Sequence, residues 1–105
     1  MPAQFELKPA KNGSFFFNLL AANGEVVLTS QMYKSKETAR KGIASVRNNG
    51  GEAEQFEDRV TKAGKHYFVL KAKNRQVIGT SQSYSNVAAM KKGKQSVIKN
   101  AENAK

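Results

Sequence analysis

Apolar and polar residues alternate along residues 4–8, QFELK, which predicts a short strand with Phe5 and Leu7 on one face. Pro9 ends it, and Lys11-Asn12-Gly13 supplies turn chemistry. Residues 14–21 predict a second strand, with Phe15, Phe17, Leu19 and Ala21 on one face and Phe16, Asn18 and Leu20 on the other. Asn23-Gly24 is a strong hairpin signal and predicts a type I′ turn, in which both central residues take φ > 0. A third strand runs from Glu25 to Ser30. Val26 and Val27 are both apolar there, so alternation leaves open which one faces inward. Ser35 then stands as an N-cap before KETARKGIASVRN, a helix that buries Ala39, Gly42 and Val46 at helical spacing and closes on Asn49-Gly50-Gly51.

The whole pattern then recurs at a constant offset of 51 residues, so that Phe5 falls on Phe56 and Tyr33 on Tyr84. The second copy sharpens the first. Phe17, Leu19 and Ala21 recur unchanged as Phe68, Leu70 and Ala72, which marks their face as the core side. Asn86 caps the second helix, VAAMKKGKQSVIK, whose Met90, Gly93 and Val97 repeat the buried seam. A glycine in the middle of a helix costs roughly 1 kcal/mol relative to alanine. Its presence in both helices predicts a helix axis lying close to the sheet. Asn74-Arg75 replaces Asn23-Gly24, and arginine tolerates φ > 0 poorly, so this turn should differ in type or carry strain.

Each copy therefore reads strand, strand, strand, helix, with repeat one at 4–49, repeat two at 55–100, residues 52–55 as a link and 101–105 as a polar tail. Copies of this size are marginal as separate units, so residues 1–105 are expected to form a single pseudo-symmetric domain with a shared core. The fold class is α+β: two tandem β-β-β-α repeats sharing one antiparallel sheet, with both helices on one face.

Composition narrows the chemistry. With no cysteine, disulfides, thiolate nucleophiles and cysteine-bound metals are excluded. No apolar run is long enough for a membrane-spanning helix and no signal peptide is visible, so a cytoplasmic protein without membrane contact is expected. Eighteen Lys and Arg against eight acids give +10, and both halves are basic. Such a balance favours nucleic acid or an acidic protein as partner.

The residues FELK, the NGE turn at Asn23 to Glu25, Thr29-Ser30-Gln31-Met32-Tyr33 and Gly42-Ile43-Ala44-Ser45-Val46 closely resemble the YegP-like family of small uncharacterised bacterial proteins. The resemblance spans Gln4 to Asn100. It implies two three-strand-plus-helix units sharing a sheet about a pseudo-two-fold, and it brings no established activity. The second copy departs from the pattern at Asn74-Arg75 and at Gly93-Lys94-Gln95-Ser96, which bears on perfect symmetry and not on the fold.

Two sets of residues are candidates for function. The first is the basic set Arg40, Lys41, Lys71, Lys73, Arg75, Lys91 and Lys92, in which Arg40-Lys41 aligns with Lys91-Lys92; such residues suit contact with an anion or a nucleic-acid phosphate. Phe16 and Tyr67, opposite the core side, are the aromatics available for stacking. The second set is Ser30, Gln31 and Tyr33 with Ser81, Gln82 and Tyr84, a repeated polar run that reads as a strand-to-helix junction or, less simply, as a paired polar site. No catalytic residue, cofactor or metal site is expected. His66 is the single histidine and has no counterpart, and the equivalent Glu6 and Glu57 have no base or metal ligand beside them. The expected protein is a non-enzymatic binding or protein-interaction module, monomeric with weak self-association at most, its partner unknown; the alternative is an accessory nucleic-acid binder.

Overall fold

A computed structural model describes residues 3–101, so the expected tail beyond Ala101 lies outside the described residues. The strands are β1 (Gln4–Pro9), β2 (Phe15–Leu20), β3 (Val26–Ser30), β4 (Phe56–Val60), β5 (His66–Lys71) and β6 (Val77–Thr80). The helices are α1 (Lys36–Asn49) and α2 (Val87–Asn100), and a short 3₁₀ turn at Ala53–Gln55 forms the link. The strands make one six-stranded sheet in the order β1-β2-β3-β6-β5-β4, antiparallel throughout. At its centre Thr29 pairs with Thr80. These are equivalent positions, so the pseudo-two-fold axis passes between them.

Both helices cover the face that carries Phe17, Leu19, Phe68 and Leu70, all fully buried. The predicted helical seam is also buried: Ala39, Gly42 and Val46 in α1, Met90, Gly93 and Val97 in α2. Ser35 caps α1 by accepting a hydrogen bond from Thr38 N–H at 3.2 Å, and Asn86 caps α2 by accepting from Ala89 N–H at 2.8 Å. These bonds satisfy first-turn donors that have no partner inside the helix.

The inward residue of each Val pair is settled by a β-bulge. Leu19 pairs with Leu28 but Leu20 with Val26, which leaves Val27 as an extra residue turned to the core beside Leu28. Ile78 is placed the same way in the second copy. A bulge breaks the period of two, so alternation cannot assign these positions.

The hairpin turns differ from the expected type I′. Gly24 N–H bonds Ala21 C=O at 2.9 Å and Ala21 N–H bonds Glu25 C=O at 2.8 Å, with only Gly24 at positive φ. This is a type I turn closed by a residue in the left-handed region. The turns at Gly13, Gly64 and Arg75 repeat the same pair of bonds. Arg75 thus keeps the turn type of the first copy and holds φ +70° to do so.

Gly50 is also unlike expectation. It is right-handed, with φ −66°, so it does not end α1 by reversing its hand. A β-carbon there would lie 2.5 Å from that of Ala101. Gly50 and Ala101 are equivalent positions in contact, so the C-termini of the two helices converge on the axis.

A left-handed conformation costs an ordinary residue about 1–2 kcal/mol that glycine avoids. Arg75→Gly is therefore expected to stabilise the protein by about 1 kcal/mol. A raised urea midpoint with unchanged m-value is the signature; an unchanged or lowered midpoint argues against strain at this turn.

Candidate functional site

The repeated Thr-Ser-Gln-x-Tyr run is built into the fold at every polar atom that is buried. Ser30 Oγ accepts from Phe17 N–H at 2.9 Å and donates to Gln31 C=O at 2.8 Å. Ser81 Oγ accepts from Phe68 N–H at 2.9 Å and donates to Gln82 C=O at 2.8 Å. Each hydroxyl stands in for a ladder partner where the strand turns away from its neighbour. Gln31 and Gln82 are exposed, whereas Tyr33 and Tyr84 are half-buried.

Each tyrosine resumes the sheet for one bridge, Tyr33 to Phe15 and Tyr84 to His66. Tyr33 stacks on Phe17 with ring centroids 6.1 Å apart. Its hydroxyl lies where a side chain on Gly42 would begin, and the Tyr84 hydroxyl occupies the same place over Gly93. The mid-helix glycines therefore make room for a tyrosine ring and not for strand backbone, which revises the expected reason for them. Burial pushes the Tyr33 hydroxyl above its ordinary pKa, an effect partly offset by a hydrogen bond with Gln31. Because β3 and β6 run antiparallel, the Tyr33 and Tyr84 segments leave the sheet at opposite ends, so the two polar sets do not meet in one site.

The basic set divides between places. Arg40, Lys41, Lys91 and Lys92 are exposed on the helices. Each pair lies about 15 Å of helix from the axis, at 1.5 Å per residue. Lys71 is on the opposite face, where it donates to Glu57 at 2.8 Å. Lys71, Lys73 and Arg75 share an open cleft of about 510 Å³ with Glu54 and Glu57. Hydrogen bonds from Lys71 and then Arg59 hold the Glu57 carboxyl below its ordinary pKa.

On this outer face the charged strand residues are ion-paired: Glu6 pairs with Lys8, and Glu57 is shared by Arg59 and Lys71. Glu6 and Glu57 lie on the two edge strands, five strand spacings or about 24 Å apart, and do not form a carboxylate pair. Phe16 and Tyr67 are half-buried on this face, on β2 and β5. His66 sits at the start of β5 opposite Val60. Among the described residues no group of three or more His, Asp or Glu side chains gathers in metal-binding geometry, and no helix is long and apolar enough to cross a membrane.

The helix layer is different. Residues 34–49 and 86–100 carry nine bases and one acid, Glu37, for a net +8. Every one of those bases except Lys94 is exposed. Lys94 is paired with Asp58. Sequence reasoning took the basic residues as one list. The sheet separates Lys71, which is ion-paired with Glu57, from Arg40, Lys41, Lys91 and Lys92 on the helices, and the signal for this was the clustering of acids outside the helices.

Gly42→Ala tests the packing at the junction. Alanine has the better helix propensity by about 1 kcal/mol, yet the clash with Tyr33 is expected to make the substitution destabilising by about 1–3 kcal/mol. Gly42→Ala added to Tyr33→Ala should cost less than it does alone, with a coupling of about 1 kcal/mol or more in a urea-denaturation cycle. A stabilising Gly42→Ala contradicts the contact.

The family model described as a domain of unknown function, DUF1508, matches the chain twice, over residues 10–57 and 61–105. A UPF0339 protein of Pasteurella multocida is 58% identical over 97 residues, covering 92% of this chain and 85% of that one. The solution NMR structure of a UPF0339 protein from Shewanella oneidensis is similar with a TM-score of 0.91 and 45% identity, covering 98% of this chain and 87% of that one. That of YegP from E. coli, a protein described as of unknown function, gives 0.92 and 44%, covering 99% and 90%. The α+β sheet, the tandem family match and these relatives together establish that the chain belongs to the UPF0339, or YegP-like, family of uncharacterised bacterial proteins.

Proposed function

We propose that the protein is a non-enzymatic, cytoplasmic binding module that takes up nucleic acid through its helix layer. The carrying observation is the segregation of charge: nine bases and one acid on the helix segments, against an outer sheet face whose charged strand residues are ion-paired. Unpaired cations on one surface attract phosphates and release condensed counterions on binding. Of the two readings open in the sequence, this distribution favours nucleic acid over a protein partner docked on the sheet. Phosphate contacts of this kind give affinity without reading bases. The paired carboxylates of the outer face do not compete, because the sheet stands between them and the helices.

A salt titration of fluorescein-labelled DNA tests this. Affinity should fall linearly on a log–log plot, and replacing Arg40, Lys41, Lys91 and Lys92 by alanine should reduce the slope by about 3, at roughly 0.7–0.9 per phosphate contact. Absence of binding at low salt, or a slope unaffected by the four substitutions, overturns the proposal.

A further inference from the structure

At the outer end of α1 a cleft of about 370 Å³ is lined by Leu7, Lys8, Pro9, Phe15, Lys36 and Arg40. Its size falls in the range of small-ligand sites. The cleft combines two features that the rest of the helix layer keeps apart. Leu7, Pro9 and the half-buried Phe15 ring make an apolar floor. Lys36 and Arg40, one helical turn apart on α1, overhang it, with the Lys36 ammonium 5.9 Å from the centre of the Phe15 ring. Neither cation has a carboxylate partner among the described residues; Lys8, at the rim, is paired with Glu6.

The second copy lacks this combination. At the positions equivalent to Leu7, Phe15 and Lys36 stand Asp58, His66 and Val87; of the two overhanging cations only Arg40 keeps its charge, as Lys91. A carboxylate replaces floor and a valine replaces a cation, so the equivalent place is unsuited to an anion. The backbone is the same in both copies, since Phe15 bridges Tyr33 as His66 bridges Tyr84. The difference is therefore in side-chain chemistry and not in fold.

We infer that this cleft binds one nucleotide of single-stranded nucleic acid, with the base against Phe15 and its phosphate between Lys36 and Arg40. An aromatic floor offers a face to any base, and it is reachable only by a base that is not already paired and stacked in a duplex. Two adjacent cations supply the matching phosphate contact. The inference rests on the helix-layer reading above and deepens it: the layer gives general phosphate affinity, and the cleft adds preference for single strands at one place per chain.

The test compares three fluorescent probes at one salt concentration: a short oligothymidylate, a duplex of equal charge, and inorganic polyphosphate, which has charge but no rings. Phe15→Leu keeps an apolar residue in the floor and removes the aromatic face; retention of fold is checked by the amide NMR spectrum. It should weaken oligothymidylate binding by about 10-fold, within the range reported by alanine substitution for one stacked base, and leave duplex and polyphosphate unchanged. Lys36→Ala with Arg40→Ala should weaken all three. Equal loss on all three probes from Phe15→Leu, or no loss on any, overturns the cleft while the helix-layer reading stands. If none of the three probes binds the unaltered protein, both fail. Should Phe15→Leu unfold, Phe15→Ile removes the ring with a residue better suited to a strand, and the same comparison decides.

Discussion

The strictest constraint in this fold is steric, and it lies on the pseudo-two-fold axis. At two places on the core side where equivalent positions meet there, they cannot both carry a side chain. Leu28 in β3 projects into the space that a side chain on its equivalent, Gly79 in β6, would need, with Leu28 Cγ 2.7 Å from that β-carbon. Gly50 meets its equivalent Ala101 in the same way. In each pair one member is glycine, and the other fills the room so made. Two identical copies would place leucine against leucine at the centre of the sheet. One continuous chain can assign the two roles to different residues, and close packing in the core makes the assignment worth keeping.

Freed from identity at the axis, the copies also diverge at their outer ends. Leu7 and Ile43 pack against the core in the first copy, whereas Asp58 and Lys94 at the equivalent positions form an ion pair. Two apolar residues in the first copy correspond to two charged ones in the second, and because both positions differ together neither charge is left unpaired. The cleft beside Phe15 in the first copy and its altered equivalent in the second follow from the same divergence.

Most of the architecture was legible in the chain. The offset of 51 gave the repeat, period-two positions Phe17 and Leu19 gave the core face, and Ala39, Gly42 and Val46 gave the helix seam. What escaped was local geometry set by contacts distant in sequence. The bulge at Val27 hides inside an unbroken apolar run. Gly42 and Gly50 announce close approach without saying what approaches, and the answers, a tyrosine ring and an alanine methyl, come from other elements. Asn23-Gly24 fits two turn types, and the φ of Asn23 decides between them. The candidate site was legible in part: the place of the repeated Thr-Ser-Gln-x-Tyr run at the end of the third strand of each copy follows from its position in the repeat, but a list of lysines carries no information on which side of the sheet each one stands.

Function, on this account, depends on the two faces of the sheet being electrically unlike: among the described residues every base of the helix layer but Lys94 is without an ion pair, whereas Lys8, Arg59 and Lys71 on the outer face are held by carboxylates. The most direct measurement is an amide chemical-shift map of the protein titrated with a short single-stranded DNA at low salt. The account predicts shifts along both helices, around Lys36, Arg40 and Lys41 and around Lys91 and Lys92, and at Phe15, with Glu57, Arg59, Tyr67 and Lys71 unmoved. Shifts confined to the outer sheet face, or none at all, would contradict it.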